Sequence, residues 1–142
     1  MASVTVNWLS IVLAAVAAWL FGGVYYSSTS KYWMAAQGKT LENCRAEMAG
    51  KSAAQKIAPF IIVFVCEIII AWALYGVLVH MNAFTLRGGL ISAGLIWLGF
   101  VMTTMATNNA FAGRKVALTV IDGIAWLGGF LIIGAIVGWM GR

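Results

Sequence analysis

Charged residues are scarce in this chain: Asp, Glu, Lys and Arg make up only 9% of its 142 residues. A soluble domain carries about 25%, so no water-facing fold of this length covers itself with so few. Histidine occurs once, as His80 at the end of an apolar run. The two cysteines, Cys44 and Cys66, fall in unlike surroundings, one polar and one apolar, without metal-ligand spacing. A structural metal and a disulfide framework are therefore not indicated. No phosphate loop, nucleophile elbow, metal box or dinucleotide fingerprint is present. With no paired aqueous carboxylates either, the reading is non-enzymatic, with no catalytic residue and no cofactor.

What is present is oil. Hydrophobic residues reach 63%, and the mean hydropathy is +0.95. The expected fold class is an all-α integral membrane protein in a single domain. Four apolar stretches cover about Trp8 to Tyr26, Pro59 to Val79, Gly88 to Ala106 and Val116 to Met140. Each approaches or exceeds the roughly 20 residues needed to cross a bilayer. The first lacks a positive leading region and a small-residue cleavage site, so it reads as a helix rather than a cleaved signal.

The one sizeable connection, 27–58, holds Thr40-Leu41-Glu42, which reads as the capped start of a short helix that Gly50 stops. That helix either lies on the membrane surface or is plainly solvated. Pro59 is expected to open the second span, where its missing N–H costs nothing. The other connections are short, which makes sequential helices antiparallel neighbours in an up-down-up-down bundle.

The net charge of +5 is unevenly placed. Lys31, Lys39, Arg45, Lys51, Lys56, Arg114 and Lys115 lie in the first and third loops, and only Arg87 and Arg142 lie opposite. Basic loops stay in the cytoplasm, so both termini are expected to be periplasmic. The uncharged segment Met1–Asn7 is short enough to translocate. Trp8 and Trp139 suit the outer interface, and Tyr32 and Trp33 the inner one. The basic loop reads as a topology signal and a contact for anionic lipid, not as a nucleic-acid surface.

A weak self-similarity suggests a 2+2 internal repeat. Trp19-Leu20-Phe21-Gly22 echoes Trp97-Leu98-Gly99-Phe100. Glu67 precedes Ile70-Ala71-Trp72 much as Asp122 precedes Ile124-Ala125-Trp126. Chance similarity between apolar segments is the alternative.

Glu67 and Asp122 are the most informative side chains. A charge in hydrocarbon costs about 2.5–3.5 kcal/mol on insertion scales, so such residues rarely face lipid. Counted from the expected helix starts, they lie roughly 12 and 9 Å into the membrane, which predicts a shared layer. Tyr25, Tyr26, Ser27, Thr103, Thr104 and Thr107 are expected in that layer too. Such a site would serve a proton or cation, or the polar end of a ligand pocket. The plainer reading is a set of hydrogen bonds that fixes helix register, or Asp122 reaching back to the interface. Trp19, Trp72, Trp97 and Trp126 either line a cavity or simply pack. Gly134 and Gly138, with Gly94 and Gly99, favour close helix packing or oligomerisation.

Several segments carry a resemblance to a known family. They are Gly22-Gly23-Val24-Tyr25-Tyr26-Ser27 with Lys31-Tyr32-Trp33-Met34, then Trp97-Leu98-Gly99-Phe100-Val101 leading to Thr107-Asn108-Asn109-Ala110-Phe111-Ala112-Gly113-Arg114, and Ile121-Asp122-Gly123 with Gly134-Ala135-Ile136. They resemble the small bacterial membrane proteins of domain-of-unknown-function family 1761, although Tyr25-Tyr26-Ser27-Ser28 lacks the proline usual in that family's turn. The resemblance implies a four-helix protein of the bacterial inner membrane, and it supplies no activity. The leading expectation is an oligomeric or accessory subunit of a membrane complex, its partners being the bilayer and either a second copy or another membrane protein. The rivals are a small proton- or cation-coupled transporter or channel using Glu67 and Asp122, and a binder of a lipid or hydrophobic cofactor.

Overall fold

The computed structural model describes residues 5–142, so part of the segment Met1–Asn7 lies outside the described residues. All regular structure in those residues is helical: α1 (Trp8–Gln37), α2 (Leu41–Ala49), α3 (Ala53–Met81), α4 (Leu86–Ile96), a π-helical turn (Trp97–Met102), α5 (Thr103–Phe111) and α6 (Val116–Met140). Four rods, with α4, the π turn and α5 forming the third, are long and apolar enough to cross a membrane. The protein is a multi-pass membrane protein on that composition and length.

Local chemistry explains the boundaries. The Asn7 side chain accepts from the Ser10 amide to start α1, and Gly38 ends it in the left-handed region at φ 70°. Thr40 caps α2 as its sequence indicates, and Gly50 follows the last helical residue. Ser52 and Gln55 form a reciprocal capping box at the head of α3.

Two expectations change. The connection 27–58 is mostly helical, because α1 runs eleven residues past Tyr26 to Gln37 and α3 starts at Ala53. The hydroxyls of Ser27, Ser28, Thr29 and Ser30 bond back to carbonyls three or four residues earlier, so the polar run continues the helix. Pro59 accordingly lies inside α3, not at its start, because the capping box begins the helix six residues sooner.

Hydrogen bonds and close contacts order the rods. The Asn7 side chain donates to the Met140 carbonyl, and the Asn7 amide donates to the Tyr75 hydroxyl. The start of α1 thus meets the ends of α3 and α6. At the other end, Tyr25 and Tyr26 of α1 bond to Ile121 and Asp122 near the start of α6. α6 is the central rod, packed most extensively on α1 and α4. It meets α4 through glycine, since a Cβ on Gly89 would fall on the Gly134 carbonyl and one on Gly134 on the Gly89 carbonyl. Backbones touch directly there.

The buried core is one-sided. Ile11, Ala14, Ala18, Ala71, Leu74, Leu78, Ile133 and Val137 pack together toward the end where the chain starts. Between Ala18 and Ala36 no residue of α1 is buried, nor is any residue of α3 before Glu67, and a cavity opens beside Ala18 and Glu67.

Candidate functional site

That cavity has a volume of about 710 Å³ and is walled by α1, α3 and α6. Drug-sized ligands occupy pockets of about 300–1,000 Å³. Gly22 and Gly23 help to make the space, because a Cβ on either would meet nothing within 4 Å. Leu20, Val24, Phe60 and Val63 line the cavity while remaining exposed, so it is open sideways, between α1 and α3. In a bilayer that side faces acyl chains. Tyr26, Ser27 and Pro59 form the part nearer the basic loops.

Glu67 lines the inner wall. It is only 6% exposed, and it makes no hydrogen bond among the described residues; its Oε2 is fully buried without a partner. Buried polar atoms are nearly always satisfied, and an isolated carboxyl in apolar surroundings is costly. A Cβ on Gly129 would lie 3.6 Å from Glu67 Oε1, an ordinary contact distance, so the carboxyl packs directly beside this residue of α6. Trp19 and Trp126 line the same cavity. The Trp19 ring is held by its N–H, which donates to the Phe60 carbonyl at 3.1 Å, and by an edge contact with Phe64.

Asp122 belongs to a different place. Its Oδ1 accepts from the Tyr26 hydroxyl at 2.9 Å and from the Trp33 indole N–H at 3.1 Å. Tyr25 donates instead to the Ile121 carbonyl at 2.9 Å. The rings of Tyr25, Tyr26 and Trp33 meet edge to face in sequence. This cluster ties the second half of α1 to the head of α6.

The single polar layer expected from the sequence therefore does not form. Glu67 sits against Gly129, seven residues beyond Asp122 on α6, which separates the two levels by about 10 Å. Helix starts at Pro59 and Val116 would put the two acids at similar depth, but α3 starts six residues before Pro59. The hydroxyls of the third rod join neither acid. Thr103 and Thr107 are exposed and donate to carbonyls of their own helix, from Gly99 and Thr103, and Thr104 is exposed as well. Ser27 likewise bonds to the Gly23 carbonyl while lining the cavity.

The glycines divide too. Gly134 and Gly138 are consumed in the α4 contact within this chain, whereas Gly94 and Gly99 have no neighbour that a Cβ would touch. Of the other tryptophans, Trp97 donates to the Gly123 carbonyl, and Trp72 is exposed beside a shallower recess with Tyr75 and His80. Trp33, which the sequence marks only as an interface residue, joins the Asp122 cluster. Its place seven residues after Tyr26, on the same face of a continuing helix, was the available signal.

The comparison with known families bears on the whole architecture. The model for a protein of unknown function, DUF1761, matches residues 9–138. The chain belongs to this family. The DUF1761 match spans all four rods and contains Glu67, the Asp122 cluster and the cavity wall. No curated protein and no solved structure matches the chain. The chemistry of this DUF1761 protein is thus read from its own side chains.

Proposed function

We propose that this is a non-enzymatic protein of the bacterial inner membrane that holds an amphipathic ligand drawn from the bilayer. The ligand lies in the sideways-open cavity between α1 and α3, with Glu67 meeting its polar end. One observation carries the reading: a buried carboxyl without a partner on the wall of an otherwise apolar cavity of about 710 Å³. Such a wall supplies area for an oily body and one point of polar recognition.

This reading stands above a proton or cation relay because the two acids occupy separate levels. It stands above assembly as a subunit because Gly134 and Gly138, two of the four glycines that motivated assembly, already pack within the chain. Supporting the up-down-up-down arrangement are the end-to-end pairings of α1 with α3 and α6. The cytoplasmic placement of the basic loops follows from their charge. It is supported by Lys115, whose Nζ donates to the Ala35 carbonyl and so puts the third loop beside the first. A 2+2 repeat is supported by Trp19 and Trp97, each donating its indole N–H to a carbonyl of another rod. The acceptors fall at different offsets from the two acids, which weighs on the other side.

Filling the cavity tests the function. Native mass spectrometry of wild type purified from membranes should show a retained amphiphile, which Gly22→Ala keeps and Gly22→Leu loses. An identical complement of bound molecules in wild type and Gly22→Leu would overturn the reading.

A further inference from the structure

The ligand class follows from what surrounds Glu67. We propose that the cavity selects lipophilic cations: molecules with an ammonium or similar positive group on an apolar body, the charge resting between the Glu67 carboxylate and the aromatic rings that share its cavity. This inference rests on the ligand-holding reading above.

Three observations point the same way. Among the described residues, no Lys, Arg or His lines the cavity, so none of them offers Glu67 a countercharge there. Its carboxyl makes no hydrogen bond either, and a cation from outside would answer both deficits at once. Trp19, Trp126 and Tyr26 line the same space, and ring faces attract cations, most strongly when water is excluded. An anionic amphiphile would instead place like charges together in a medium that screens them poorly. A neutral alcohol would satisfy one oxygen and leave the rings unused.

The route of access agrees. The end of the cavity marked by Ser27 and Pro59 lies toward the connection in which Lys31, Lys39, Arg45, Lys51 and Lys56 outnumber Glu42 and Glu47, and this net positive charge repels a cation from water. The side walled by exposed Leu20, Val24, Phe60 and Val63 is apolar. A cation carrying an oily body therefore arrives from within the bilayer.

The test uses the full chain in lipid nanodiscs and three probes that share one tail: dodecylammonium, which carries both the charge and N–H donors, dodecanol and dodecyl sulfate. Binding is measured calorimetrically, with empty nanodiscs subtracted. Wild type should bind the ammonium at least tenfold more tightly than the alcohol and the sulfate least. Glu67→Gln should lose that preference while still binding the alcohol, which also reports that the variant is folded. Equal binding of ammonium and alcohol, tightest binding of the sulfate, or an unchanged preference in Glu67→Gln would overturn the cation assignment alone. Absence of binding by all three probes above empty nanodiscs would remove the ligand-holding reading with it.

Discussion

The Tyr26 hydroxyl donates to Asp122 Oδ1 across 96 residues of chain, and the Trp33 indole N–H converges on the same oxygen. One acceptor therefore holds two donors of α1 against the head of α6. Asp122→Ala removes it and leaves both partly buried donors unanswered, at no more than about 1–3 kcal/mol each. Asp122→Asn keeps a carbonyl oxygen in place and should lose much less. Thermal unfolding in detergent should rank wild type, Asn and Ala in falling order. An alanine variant as stable as wild type would show that the cluster does not tie the helices.

At the α4–α6 crossing the room for a methyl group is missing. Gly89→Ala would drive Cβ into the Gly134 carbonyl, and overpacking of this kind costs about 1–3 kcal/mol. Gly94→Ala, where nothing lies within 4 Å, should be neutral or slightly stabilising through helix propensity. The pair is compared by melting temperature in one detergent, and equal values would contradict the backbone contact.

Outside the membrane, Lys39 Nζ lies 2.8 Å from Glu47 Oε2. The hydrogen bond from Lys39 holds the Glu47 carboxyl below its ordinary range, with the ammonium charge adding to the effect. A depressed carboxylate contributes stability above its unfolded value and loses it as pH falls through the folded one. The tie between α2 and the end of α1 should thus persist at neutral pH and release below the ordinary glutamate range. An NMR titration of the Glu47 side chain should show a depressed midpoint, which 1 M salt moves back toward normal. A midpoint at the ordinary glutamate value in low salt would show that the pair is not formed.

The four apolar rods, the Thr40 cap and the stop at Gly50 were all legible in the sequence, because hydropathy and capping depend on solvent and on neighbours along the chain. That Glu67 would turn toward protein was legible for the same reason: an acid in an apolar run stands out wherever its helix begins, and it is buried here. Its level was not, since it depended on where α3 starts, and the capping box at Ser52 outweighed the proline signal at Pro59. The threonines of the third rod misled because Thr103 and Thr107 satisfy their hydroxyls within their own helix, an outcome that composition does not distinguish from a shared polar layer.

Which faces meet was settled by packing. In water, a helix marks its buried side by where its apolar residues fall. In hydrocarbon, a leucine facing lipid and a leucine facing protein are equally at home, so that mark is erased. Gly134 against α4, Gly94 facing open space, and the separation of Asp122 from Glu67 emerge only when whole helices are fitted together by shape and by hydrogen bonds between distant residues.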